Sequence, residues 1–163
     1  MTYAKSKIKF NTLNTFNNVW YESKVKYSSL QADGSTKRVT EIYLIDALSF
    51  TEAEARTIEF ISPYVSEDGE LEVVGLKQTT IKEVLSNSEG DKWFVCNFVF
   101  HLMEDNGKDK QTKYSIMVQA NTIDEGKKSA ERFMLGSMQD WEMKSITETK
   151  IIDVYQILTS DEE

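Results

Sequence analysis

The sequence predicts an α+β fold built by internal duplication of a ββαβ unit. Antiparallel sheets are each covered by one helix, and the two copies pack across a pseudo-twofold. Three observations carry this prediction. A shift of 73 residues lays "WYESKVKY" (20–27) on "WFVCNFVF" (93–100), so that Trp20 meets Trp93, Tyr21 meets Phe94, Val25 meets Phe98 and Tyr27 meets Phe100. The same shift lays Asp33-Gly34 on Asn106-Gly107, two dipeptides that accept the positive φ of a tight hairpin turn. It also lays Ser49-Phe50-Thr51-Glu52 on Thr122-Ile123-Asp124-Glu125. Each of these is a capping box, a hydroxyl at the N-cap with Glu three positions on to reach back.

The elements follow in order. The first strand of each copy starts at the aromatic pair, and its alternate residues fall on opposite sides. After the turn, "TEIYLIDA" (40–47) corresponds to "KYSIMVQA" (113–120) as the second strand. The helices share an apolar stripe at helical spacing. Phe50, Ala53, Thr57, Phe60 and Ile61 align with Ile123, Gly126, Ala130, Phe133 and Met134. Pro63 stops the first helix and Gly136 weakens the end of the second. After a three-residue slip the shift becomes 70, and "LEVVGLKQTTIKEVL" (71–85) matches "WEMKSITETKIIDVY" (141–155) as the final strand. The repeats are therefore 19–85 and 93–155, joined by "SNSEGDK" (86–92), within one globular domain at 19–156. A basic, flexible arm (1–18, with Lys5, Lys7 and Lys9) and an acidic tail (159–163) flank it. One copy of about 65 residues buries too little apolar surface to be secure alone, so the two should shelter each other.

Composition narrows the class. The chain has 163 residues, 40% hydrophobic and 28% charged, with one Pro and seven Gly, which is typical of a folded soluble protein. A single cysteine, Cys96, excludes a disulfide framework and points to a reducing cytoplasm. No run approaches the roughly 20 apolar residues of a membrane span. The net charge of −8 is uneven: residues 1–48 carry +3 and residues 49–163 carry −11. An acidic back half suits a basic protein partner, whereas the front suits a polyanion.

Catalytic patterns are sparse. His101 is the sole histidine, and its odd separation from Cys96 puts the two on opposite faces of a strand. No Cys/His zinc spacing, P-loop or dinucleotide fingerprint occurs. "DNGKDKQ" (105–111) lacks the full calcium-loop pattern and lies on a hairpin turn. The carboxylates of "SEDGELE" (66–72) read as a solvated loop. The expectation is a non-enzymatic protein without metal or cofactor.

The inner strand faces, Tyr21, Val25 and Tyr27 with Val39, Tyr43 and Ile45, and Phe94, Phe98 and Phe100 with Tyr114, Ile116 and Val118, are those the helices cover. The opposite faces carry Trp20, Glu22, Lys24, Lys26, Arg38 and Thr40, and Trp93, Val95, Asn97, Val99, His101, Lys113 and Ser115. Aromatics beside cations can stack bases, at about 1–3 kcal/mol each, and hold phosphates. The expected nucleic-acid-binding set is Trp20, Lys24, Lys26, Arg38, Trp93 and Lys113, with single-stranded nucleic acid as the partner. The competing reading of each Trp is a core or hinge residue, because large aromatics are mostly buried. Two other functions fit: an acidic adaptor that binds protein through its back half or tail, and a small-ligand module with its pocket at the repeat interface.

Taken together, "WYESKVKY", "ALSFTEAEA", "PYVSEDGELEV", "GDKWF" and "ETKIIDVY" resemble an uncharacterised family of Bacteroidetes and their phages, domain of unknown function 4494. The resemblance covers about residues 19–156. It implies a small intracellular bacterial or phage protein and brings no reaction, cofactor or site residues. The N-terminal "KSKIKFNTLNTFNN" is longer than the usual start of the family.

Overall fold

The computed structural model describes residues 19–156, so the N-terminal arm and the acidic tail lie outside the described residues. The architecture is α+β: two four-stranded mixed sheets and two helices, consistent with a duplicated unit. The described residues divide into two compact units, one comprising residues 81–149 and the other residues 19–80 together with 150–156.

The first unit contains β1 (Val19–Leu30), β2 (Thr36–Ala47), α1 (Phe50–Ile61) and β3 (Leu71–Gln78), with a short 3-10 turn at Ser62–Tyr64. β1 and β2 form a long antiparallel hairpin closed at Gly34, whose φ of 84° only glycine adopts without strain. α1 begins at the predicted N-cap: Ser49 Oγ accepts from Glu52 N at 3.2 Å, and Glu52 reaches back to Leu48 N at 2.8 Å. It ends at Ile61, just before Pro63. Ala53, Thr57 and Ile61 are its buried positions. They cover Tyr21, Val25, Tyr43 and Ile45, as the alternation predicts. Thr57 stays satisfied there by donating to Ala53 O (2.7 Å) and sharing a second hydrogen bond with the Ser23 hydroxyl (3.0 Å). Phe50, expected in the stripe, is 51% exposed and meets Tyr21 edge-on. It sits at the first helical position, where the stripe has not yet turned onto the sheet.

The second unit contains β4 (Ile81–Leu85), β5 (Lys92–Met103), β6 (Asp109–Ala120), α2 (Ile123–Met134) and β7 (Asp140–Glu148). It repeats the first in detail. Gly107 closes its hairpin at φ 80°. Thr122 Oγ1 accepts from Glu125 N at 3.2 Å, and Glu125 accepts from Asn121 N at 3.1 Å. Gly126, Ala130 and Met134 cover Phe94, Phe98, Ile116 and Val118. Ile123, like Phe50, lies exposed at the helix start. The buried Ser23–Thr57 hydrogen bond of the first unit is replaced at the equivalent positions by Cys96 and Ala130, both fully buried.

The stretch read as one final strand is two, and this corrects the ββαβ description. β3 ends at Gln78 and β7 at Glu148, and the threonine after each still follows the antiparallel register of the neighbouring strand. Thr79 donates both its N–H (2.9 Å) and its hydroxyl (2.8 Å) to Trp20 O. Thr149 does the same to Trp93 O, at 2.8 Å for each bond. The short strands that follow change sheets. β4, from the first repeat, runs parallel to β6, giving the order β4-β6-β5-β7. β8 (Ile151–Tyr155), from the second repeat, runs parallel to β2, giving β3-β1-β2-β8. Ile42 faces Ile151 and Tyr43 faces Asp153; 73 residues on, Ser115 faces Ile81 and Ile116 faces Glu83. The sheets are therefore mixed, not purely antiparallel, and each copy's last strand completes the other copy's sheet.

Candidate functional site

The exposed cations predicted on the outer strand faces are where alternation puts them. Lys24 and Lys26 are exposed on β1, opposite Ile42 and Thr40. No ion pair engages either of them among the described residues. Lys113 is exposed on β6 opposite Val99. Arg38 is already partnered, lying 3.5 Å from Glu70 and 3.8 Å from Glu72. The two tryptophans differ from the expectation. Trp20 is 8% exposed and Trp93 3%, so neither indole presents a face on which a base could stack. Within the first unit Lys24 and Lys26 are neighbours on an exposed stretch of β1, apart from the enclosed Trp20 and the paired Arg38.

Further along the second sheet, Asn97 links three strands. It accepts from Ser115 Oγ at 2.6 Å and donates to Ser145 Oγ at 2.9 Å. His101 lies between two carboxylates, Nδ1 3.1 Å from Asp109 and Nε2 3.4 Å from Glu142. These hydrogen bonds, Asp109 first, raise the His101 pKa above its ordinary 6.5. Lys144, with His101, holds Glu142 below the usual carboxylate range. The two carboxylates engage opposite ring nitrogens and do not converge on a point. Among the described residues no group of three His, Cys, Asp or Glu side chains is placed to hold a metal ion.

The linkage has a definite sign. A raised folded pKa means that the protonated imidazole adds stability below about 6.5, and that this contribution is lost as pH rises through the folded value. As the single histidine, its ring proton gives one NMR resonance to follow. Its titration midpoint is expected above 6.5, and Asp109→Asn should lower it. A wild-type midpoint at or below 6.5 would refute the paired geometry.

Two tyrosine–carboxylate clusters lie on the helix-covered faces. Tyr27 donates to Glu41 at 2.8 Å, and Tyr43 donates to the same carboxylate. Burial and this hydrogen bond push Tyr27 up to about 12 and raise Tyr43 as well. In the second unit burial, then Glu83, pushes Tyr114 up to about 12, while burial raises Glu83. These phenols stay protonated at neutral pH and act as hydrogen-bond donors. Cys96 is fully buried, which pushes its thiol up to about 12. A thiol so held is a poor nucleophile.

A pocket of about 300 Å³ opens in the second unit between the end of β6, the outer side of α2 and the 86–90 loop. Gln119 pins that loop, accepting from Asn87 N and donating to Gly90 O, both at 2.9 Å. Asn121 pins it again, accepting from Asp91 N at 3.1 Å and donating to Glu89 O at 2.9 Å. The loop lies tight against β6 because residue 90 is glycine: a Cβ there would come within 2.7 Å of Ala120 N. Lys128, Ser129, Arg132 and Glu125 form the helix wall. Sequence reasoning overlooked these residues. The available signal was the 73-residue shift itself, which sets Arg56 against Ser129 and Glu59 against Arg132 in otherwise matching helices.

Among the described residues no helix is long and apolar enough to cross a membrane. No curated protein and no solved structure matches the chain. A family model, Domain of unknown function (DUF4494), matches residues 19–157, which include all of the described residues. The match spans both repeats and both exchanged strands, so the chain belongs to this family of domains of unknown function.

Proposed function

We propose that the protein is a non-enzymatic binding protein for single-stranded nucleic acid, encoded by a bacterium or its phage and working in the bacterial cytoplasm. In this reading it is the fused form of a homodimer of half-size modules. The observation that carries the reading is the open pair Lys24 and Lys26, two outward cations on one strand with no ion-pair partner among the described residues. Contact is to phosphates through these lysines, with Lys113 as a further cation, and not through stacking on the enclosed tryptophans. Among the described residues both units hold more Asp/Glu than Lys/Arg, so binding depends on a local patch and is weak at high salt.

The test is fluorescence anisotropy with a labelled oligo-dT across a salt series. The logarithm of affinity should fall with the logarithm of salt by about 0.7 per phosphate neutralised on a single strand. Lys24→Ala/Lys26→Ala should make that slope shallower by roughly 1.4. Tryptophan emission should change little on binding, since both indoles are enclosed. A flat salt response of the wild type would remove the reading. The net charge of −8 favours a second one, an acidic adaptor that would retain a basic protein partner after nuclease treatment.

A further inference from the structure

The two helices match in caps, length and buried stripe but differ in charge where each overlies the end of its sheet's second strand. In the first unit that place holds an internal ion-pair cluster. Arg56 reaches from α1 to the backbone carbonyl of Asp46, lies 3.4 Å from its carboxylate, and pairs with Glu52 one turn earlier. Its side chain is 16% exposed. The cation is taken up by two acids inside the unit, leaving no free positive charge there, and Glu59 follows on the same helix.

In the second unit every member of this set has an equivalent, and the set is rewritten. Asp46 becomes Gln119, which is spent on holding the 86–90 loop. Arg56 becomes Ser129, a short side chain that lines the pocket beside Gln119. Ala55 becomes Lys128 and Glu59 becomes Arg132. The two new cations stand one turn apart on the pocket wall, exposed and in no ion pair among the described residues. The internal salt bridge has gone, and two unpaired positive charges border the pocket.

We infer that this pocket binds a small phosphate ester carrying hydroxyl groups, of sugar-phosphate size. Arg132 offers a planar donor fork that matches phosphate geometry, and Lys128 adds a point charge beside it. Ser129 supplies a hydroxyl on the same wall. The Glu89 and Glu125 carboxylates, also on the lining, accept from hydroxyls and repel a second anionic group. About 300 Å³ is the low end of ligand pockets and holds one small molecule, not a polymer. The site lies within one unit and does not depend on the Lys24–Lys26 face.

The test is calorimetric titration of the full chain with ribose 5-phosphate, with ribose and inorganic phosphate as separate probes. Ribose 5-phosphate should bind at least tenfold more tightly than either half-ligand. Arg132→Ala should weaken it by roughly tenfold or more, the scale of a lost charge-assisted bond. Ser129→Arg, which restores the first copy's residue, should abolish binding while leaving the melting temperature within a few degrees of wild type. Its response to oligo-dT should be unchanged, which separates this site from the nucleic-acid reading. No measurable binding of ribose 5-phosphate at millimolar concentration would overturn the inference. So would binding that survives Ser129→Arg, or phosphate binding as tightly as the ester.

Discussion

Phe98→Ala is expected to destabilise the protein by about 3–5 kcal/mol, among the largest effects of any single truncation. Phe98 is 1% exposed at the middle of β5. Its ring meets Trp141 edge-on at 5.5 Å and packs in the cluster that includes Cys96, Ile116, Ala130 and Met134. Removing it takes away the transfer free energy of a buried aromatic. It also leaves a void that three hydrogen-bonded strands and a helix close only in part. The edge-on aromatic contact adds about 0.5–1.5 kcal/mol within that total. Phe50→Ala is the internal control. It removes the same side chain from a site 51% exposed, and should cost less than about 1 kcal/mol. Urea unfolding followed by circular dichroism compares the two. Equal losses for Phe98→Ala and Phe50→Ala would show that the inner face of β5 is not the core.

What was legible in the sequence was local. The period-2 alternation assigns Tyr21, Val25 and Phe98 to the helix side because a strand leaves no other choice. Gly34 and Gly107 mark the hairpins because the turn needs positive φ there. Ser49 and Thr122 mark the helix starts because each caps an N–H three residues on. What was not legible depends on distant chain. "IKEVL" and "IIDVY" alternate in a way that suits the edge of either sheet. The choice is made by pairing with β6 and β2, far away in the chain, after a threonine has tied off each preceding strand on a tryptophan carbonyl. Alternation put Trp20 and Trp93 on the outer faces but is silent on whether an outer face is covered. Leu44 and Met117, on those same faces, are buried too. The pocket was half legible: the shift of 73 exposes the exchange of Arg56 for Ser129, but only the structure shows that Ser129 lines a pocket.

Tyr155→Ala is expected to cost about 2–4 kcal/mol, and to do so in the repeat that precedes it in the chain. Tyr155 closes β8, which is parallel to β2. Its ring stacks on Phe60 of α1 at 4.4 Å and on Tyr43 of β2 at 5.5 Å. Without the ring, β8 keeps only a short edge ladder, and five residues of parallel edge strand are a weak unit. Local opening should then raise amide exchange at residues 42–45, the stretch in register with β8. Residues 115–118, which pair with β4, should keep their protection. If β8 instead paired within its own repeat, the pattern would invert, with loss at 115–118 and none at 42–45. Tyr155→Phe keeps both stacks and should leave exchange at 42–45 near wild type. Hydrogen–deuterium exchange on the three proteins therefore reads strand exchange directly, because the affected amides lie more than a hundred residues from the substitution.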